Sequence, residues 1–429
     1  VFASLARHRV FVVYLASLAW LAVAAFLFAR SVGRAPTGFW VVCTLAAGVT
    51  AVYAAALWLA RRLWPALAEC SAATQPAAPL DSRRQRWLFG LVAIYGLVVV
   101  SHFLLIGYIP VVTALRSSSD IGVSLVRQAG YFDLPPLMRY ASDYSLKAVG
   151  PALLLITYYL RSRLFWVVLM IGGFYSMALF ARLLPLILLI PLLVYMLLSR
   201  RWLQATAVVG LLALMVGGLT SVSSIAIRED LRETAAEAIV ETATEAIVIT
   251  EEARSVGKSY RSAPKVEQDW RRTSALYALY ERALIVPGQV LDQWFHYYDR
   301  RERLEHGCGY RVLAKVMGCE YVHIPTKLYA VFYQDNISQG MKGSLNAASF
   351  MTDFANWGYA GLAVSALMGG LLFALVALIY RHHPLALSMN LPLIVVSMES
   401  NLMTAVNSGA GWLVMTLLFI IFFRSSRQR

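Results

Sequence analysis

"GFWVVCTLAAGVTAVYAAALWLARR" (Gly38–Arg62) carries no charge from Gly38 to Ala60 and then two arginines in succession. A run of this kind fits the roughly 17–25 apolar residues that a helix needs to cross a hydrocarbon core of about 30 Å. It shows no alternation of period two and is longer than a barrel strand. Helix must therefore satisfy its backbone in lipid. Comparable runs recur near residues 10–29, 87–109, 148–160, 164–181, 183–199, 203–225, 357–380, 385–406 and 409–423. The run at 148–160 is short. Composition agrees, because 59% hydrophobic and 14% charged residues depart far from a soluble balance. The expected fold class is all-α: a polytopic integral membrane protein of about ten transmembrane helices with one large helical loop outside.

Arginine positions orient the chain. With Arg7 and Arg9 in the cytoplasm, Arg61, Arg62, Arg83, Arg84, Arg86, Arg161, Arg163, Arg200, Arg201, Arg381 and Arg424 fall on that side too. The positive-inside rule then holds at every short loop. The formal charge of +14 follows from topology, and no basic-aromatic groove pattern points to nucleic acid. The basic start and apolar core of the N-terminus lack a small-residue cleavage site and read as a retained first span. Three regions are expected: residues 1–225, a bundle of seven helices with an outer loop at 110–147; residues 226–356, a large outer loop; and residues 357–429, the C-terminal helices. Cys308 and Cys319 fall in the large loop, where disulfides persist. With His306 and His323 beside them, a disulfide, free thiols and a metal site all stay open.

The large loop is rich in helix formers. "EAIV" at 237–240 returns at 245–248, so the seventh span is expected to run outward as helix to about residue 254. Gly257 and Pro264 mark a connector. A helix is expected from about Val266 to Val286, ending at Pro287-Gly288, and another in "QVLDQWFHYYDRR" (289–301). There Leu291, Trp294, Phe295 and Tyr298 share an apolar face, with Asp292, His296, Asp299 and Arg303 opposite. The loop reads as a helical subdomain lying against the membrane. It has no glycine-rich phosphate turn of a nucleotide-binding fold.

Four features carry chemistry. Arg182, in "LFARLLPL" between two short spans, either faces a cavity and binds an anionic phosphate or snorkels at the interface. Arg282, one turn before Pro287-Gly288, is either an anion ligand or a partner of Glu281 or Glu267. His296, with Asp292 one turn back, is a candidate base or part of a solvated stripe. Tyr298 and Arg301 add sugar-stacking and anion-binding potential. Glu399, Asn401, Thr404, Asn407 and Ser408 gather at the outer end of the ninth span, lining a cavity or bonding between helices.

Two stretches carry a resemblance. "RALIVPGQVLDQWFHYY" (282–298) and "NAASFMTDFANWGYAGL" (346–362) resemble segments of bacterial O-antigen (oligosaccharide repeat-unit) polymerases of the Wzy type. Asn346, Asp353, Ala355, Asn356, Gly358, Tyr359 and Gly361 fall on that family's pattern, and the arginine of "LFARLLPL" is similar to its arginine at the outer face. Ala348, Phe354 and Trp357 depart from the pattern. The resemblance implies a glycosyltransferase of GT-C type in the bacterial inner membrane, with its active site facing the periplasm. Its substrates would be undecaprenyl-diphosphate-linked oligosaccharides, with membrane lipids and a chain-length regulator as partners and no cofactor or metal. Arg182 and Arg282 would take the diphosphate charge and His296 the acceptor proton. Asn346, Asp353, Asn356, Tyr298 and Arg301 would bind substrate. Gly358 and Gly361 would allow close helix approach at the start of a span. An O-antigen ligase, which uses lipid A-core as acceptor, and a lipid-linked oligosaccharide flippase are the alternatives.

Overall fold

The computed structural model describes residues 8–63, 82–115, 126, 130, 133–181, 183–230, 280–334, 337, 343–381, 383–409 and 411–424. Among the described residues every regular element is helical. Six helices among the described residues are long and apolar enough to span a membrane: Arg9–Ser31, Thr37–Leu63, Ser82–Ile106, Trp202–Thr220, Tyr359–Tyr380 and Leu402–Phe423. Leu164–Ala178, Leu183–Leu198 and Ala386–Ser397 are shorter apolar helices. Trp40, Leu104, Trp166, Leu203 and Leu214 lie exposed on these elements. Large apolar side chains turned outward on so many helices are what lipid contact requires. The chain is therefore a multi-pass α-helical membrane protein.

Two compact units form, each discontinuous in sequence. The first gathers Val1–Ser71, Ala238–Ile379 and Ile394–Leu402. Inside it, the Arg9–Ser31, Thr37–Leu63 and Tyr359–Tyr380 helices are fastened by rings. Tyr14 stacks on Phe373 at 4.1 Å between centroids, and Phe11 on Tyr53 at 3.8 Å. The described part of the large loop joins this unit as a set of short helices: Val286–Tyr298, Arg311–Met317, Ile324–Phe332 and Ser349–Trp357. Helix does not stop at Pro287-Gly288, as the sequence suggests. A π-helical turn over Glu281–Ile285 leads directly into Val286–Tyr298, so Pro287 lies inside a continuous helical run. Residues 231–279, including the expected helices to 254 and from Val266, lie outside the described residues.

Cys308 and Cys319 form a disulfide with Cα atoms 6.0 Å apart, which takes the sulfurs a metal site would need. The bridged loop is also tied by backbone bonds from Val322 N–H to the Cys308 carbonyl and from Cys319 N–H to the Ala314 carbonyl, both 3.0 Å. Closing so short a loop is worth about 3 kcal/mol in the chain-entropy account. The paired Cys308→Ser, Cys319→Ser variant is expected to lose about that much. A thermal melt in detergent that matches wild type would contradict it.

The second unit comprises Ala72–Glu237, Tyr380–Leu393 and Met403–Arg429. The short run at 148–160 resolves here into part of a longer helix. Pro136–Tyr144, a π turn at Ser145–Val149 and Gly150–Tyr159 follow one another with helical backbone at both joints. Residues 136–147 thus belong to a helix rather than to the outer loop 110–147. The sequence hides this because residues 136–147 carry Arg139, Asp143 and Lys147 and lack the apolar character of the run that follows. In both units a π turn stands two residues before a proline, at Val149 and Pro151 and at Ile285 and Pro287. Proline lacks an N–H and its ring crowds the carbonyl four residues back. Widening the preceding turn relieves the crowding without ending the helix.

The expected ninth and tenth spans shift register. Helix covers Ala386–Ser397 and resumes at Leu402, so Glu399 and Asn401 sit in the break while Thr404 and Asn407 lie on the next helix. Asn407 accepts a hydrogen bond from the Tyr144 hydroxyl. Deeper in the same unit, Trp412 Nε1 donates to Asn390 Oδ1 at 2.7 Å. Interhelical bonding is realised at these two asparagines.

Candidate functional site around the Glu281–Tyr298 helix

The Glu281–Tyr298 segment runs alongside the Arg9–Ser31 helix and in the same direction. The Trp20 indole N–H donates to the Ala283 carbonyl at 2.9 Å. A Cβ on Gly288 would come within 2.2 Å of the Ala24 carbonyl oxygen, so only glycine permits this backbone-to-backbone approach. Farther out, Arg34 Nη1 binds Asp292 Oδ2 at 2.5 Å. The order 20, 24, 34 matches 283, 288, 292. Trp20 is the midpoint of Arg9–Ser31, about 16 Å of helix rise from either end. The described segment therefore begins level with the middle of a spanning helix and emerges at its end. The loop does not simply lie against the membrane: its apolar face packs along a transmembrane helix. Leu291, Trp294, Phe295 and Tyr298 are buried, as their spacing predicts.

Arg282 is exposed at the inner end of this segment and His296 is exposed near the outer end. Fourteen residues of continuous helix hold them about 20 Å apart. Both side chains lean toward the helix N-terminus, so their tips stay as far apart as their backbones. A base must come within hydrogen-bond reach of the proton it removes. Arg282 and His296 thus cannot serve the same bond, and the pairing of arginine clamp with histidine base is corrected on this ground.

His296 instead belongs to a charged rim with Arg34, Asp292, Asp299 and Arg303. Its pKa is lowered, first by partial burial of the ring and then by the Arg34 guanidinium, with Asp292 and Asp299 opposing. The ring is accordingly neutral at pH 7. Arg34→Gln removes a cation and releases Asp292 from its ion pair, and both changes raise the histidine pKa. The pH at which diethyl pyrocarbonate stops modifying His296 (the difference from His296→Gln) is expected to move upward in that variant. An unchanged or lower value would remove Arg34 from this role.

Asp353 and Asn356 are buried, at 8% and 0% exposure, and hold the fold together. The Asp353 carboxylate accepts hydrogen bonds from the hydroxyls of Tyr310 and Ser365. Burial raises its pKa, and the two donors oppose the rise. Asn356 Oδ1 accepts from the N–H groups of Gly307 at 2.9 Å and Gly309 at 3.0 Å, on either side of Cys308. Its Nδ2 donates to the Thr352 carbonyl at 2.8 Å. Together they tie the bridged loop to the helix entering the Tyr359–Tyr380 span. Tyr298 is also internal, at 1% exposure. Its hydroxyl donates to Glu305 Oε1 at 2.8 Å, which Lys327 Nζ also binds at 2.7 Å. That position leaves its ring no face for a sugar.

Asn346 and Arg301 are exposed. Asn346 follows Leu345, whose carbonyl accepts from Trp294 Nε1 at 3.0 Å. The structure thus places Arg282, His296, Arg301, Asn346, Asp353 and Asn356 in one unit. Arg301 and Asn346 are the two expected substrate ligands on its surface. Arg182 lies outside the described residues.

One polar centre escapes the sequence reading. In the second unit His102 is fully buried. Its Nε2 is 3.0 Å from the Gly130 carbonyl, while Nδ1 is 2.9 Å from Ser142 Oγ and 2.8 Å from the Tyr175 hydroxyl. A carbonyl only accepts, so Nε2 carries the proton and Nδ1 accepts from the hydroxyls. Asp143 beside it pairs with Lys147 at 2.7 Å. The visible signals are a histidine inside an apolar span and an acid-base pair four residues apart. Every ring nitrogen is satisfied, which makes the cluster a cross-link among three helical segments.

No protein-family model matches the sequence, and comparison with curated proteins and with solved structures yields no match.

Proposed function

We propose that the protein is a glycosyltransferase that polymerises undecaprenyl-diphosphate-linked oligosaccharide repeat units into O-antigen or a related surface polysaccharide. On this reading it works at the periplasmic face of a bacterial inner membrane, with the shorter apolar helices completing about ten crossings in a GT-C arrangement. One observation carries the proposal: an exposed arginine, Arg282, level with the middle of a spanning helix, on a segment packed along that helix. An arginine in hydrocarbon costs at least about 2.5–3.5 kcal/mol unless water or an anion meets it. A diphosphate carried by a prenyl tail in the same leaflet is such an anion, and the planar guanidinium fork suits it. The quoted stretches 282–298 and 346–362, with their likeness to repeat-unit polymerases, supply the substrate.

In the reaction, a hydroxyl at the non-reducing end of one lipid-linked repeat attacks the anomeric carbon of the glycan on a second lipid. The new glycosidic C–O bond forms as the bond to diphosphate breaks, the electron pair leaves on the diphosphate oxygen, and the acceptor hydroxyl's proton passes to the departing diphosphate. Arg282 takes up that developing charge. A lipid diphosphate is already a good leaving group, so charge stabilisation dominates over acid catalysis. The rim of Arg34, Asp292, His296 and Arg303, about 20 Å farther out along the helix, holds glycan rather than the reacting bond.

Purified protein incubated with a defined lipid-linked repeat unit and no nucleotide should give a ladder of longer products. Transfer only after lipid A-core is added would make it a ligase. Absence of any new glycosidic bond would end the enzyme reading.

A further inference from the structure

Ala283 and Pro287 stand four residues apart. In an α-helix the N–H of residue 287 would donate to the carbonyl of residue 283, and proline has none. Level with a spanning helix's midpoint, a carbonyl that no polar group meets is costly. The Trp20 indole N–H reaches this same carbonyl at 2.9 Å, from a residue 263 positions away. Just beyond, the Gly288 backbone lies against Ala24. The inner end of the segment is thereby fixed in both depth and rotation, one residue from Arg282.

We infer that Trp20 is a positioning residue. Its N–H substitutes for the donor that Pro287 lacks, and so holds the π turn that presents Arg282. This rests on the reading of Arg282 as the diphosphate ligand, but its physical core does not. The π turn over Glu281–Ile285 sets the direction of the arginine, because each wide turn rotates the following side chains relative to a regular helix. Without a donor on the Ala283 carbonyl, the turn has no reason to keep that register. Trp20 is 38% exposed, so packing alone does not account for its place.

The test separates donor from ring. Trp20→Phe keeps most of the ring and deletes the N–H, and is expected to slow elongation at least tenfold with unchanged protein level. Pro287→Ala returns a backbone N–H to the same carbonyl. The Trp20→Phe, Pro287→Ala double variant is therefore expected to recover to within about threefold of wild type. A second readout does not depend on polymerisation. Arg282→Cys, in a background of Cys43→Ser and Cys70→Ser, is labelled with a membrane-impermeant maleimide. Trp20→Phe should change the labelling rate several-fold, and Pro287→Ala should reverse the change. If labelling responds in this way while wild-type protein makes no polymer, the positioning survives and the enzymatic reading fails. Wild-type labelling and elongation in Trp20→Phe, or loss without rescue by Pro287→Ala, would overturn the inference.

Discussion

Arg282→Ala is expected to abolish chain elongation, by at least about a hundredfold, in protein that reaches the membrane at its normal level. The size follows from what the group is asked to do. Removing one pre-positioned donor from a developing oxyanion costs about 10²–10³ in rate, and a full positive charge at reduced dielectric does no less. The structure makes the result interpretable, because Arg282 is exposed and its truncation leaves no internal cavity. Lysine in its place keeps the charge but loses the two-pronged fork, so Arg282→Lys should retain more activity than alanine and less than wild type. The measurement is the product ladder from a defined lipid-linked repeat, beside an immunoblot of the membrane fraction. Full-length polymer from Arg282→Ala would remove this arginine from the chemistry.

The six long spans were legible because hydrocarbon thickness imposes a length that few other constraints mimic. The apolar face of residues 291–298 was legible for a similar reason: helical period leaves its mark wherever one side is buried. Proline misled one boundary. Pro287 reads as a stop, yet the helix passes through it by widening the turn before, as the helix through Pro151 also does. Partners distant in sequence were also out of reach. Nothing in "SFMTDFANWGYAGL" (349–362) says that Asn356 will hold the N–H groups flanking Cys308, and nothing in "QVLDQWFHYYDRR" (289–301) says that Asp292 will pair with Arg34. Polar residues near a membrane surface read equally well as ligands or as braces, and only the partner decides. Depth was the largest omission. The tally of charges in 226–356 suggests a surface loop, whereas the Trp20 and Ala24 contacts place its 281–288 turn well inside the span of a neighbouring helix.

Gly361→Ala should destabilise the protein by about 3 kcal/mol, more than most single methyl additions. The sequence places Gly358 and Gly361 where a span begins, and close approach to another helix is the usual reason for glycine there. The approach found is to the chain's own preceding helix. Gly358 turns the backbone with φ +62° and ψ −139°, a conformation that side-chain-bearing residues rarely adopt. The next helix then folds back against Ser349–Trp357. A Cβ on Gly361 would lie 2.0 Å from the Asp353 carbonyl oxygen and 2.4 Å from its carbon. Both obstacles are backbone, so no rotamer change relieves them. Moving the two helices apart would strain the Asp353–Ser365 bond, and beyond it the Asp353 and Asn356 links to the Cys308–Cys319 loop. Gly90 provides the control: an added Cβ there meets nothing within 4 Å, so Gly90→Ala should be neutral or slightly stabilising, as alanine for glycine in a helix generally is. Melting temperatures of both variants in one detergent decide the matter. If Gly361→Ala melts with Gly90→Ala, the two helices can separate without loss, and Asp353 and Asn356 do not brace the outer loop in the way their hydrogen bonds describe.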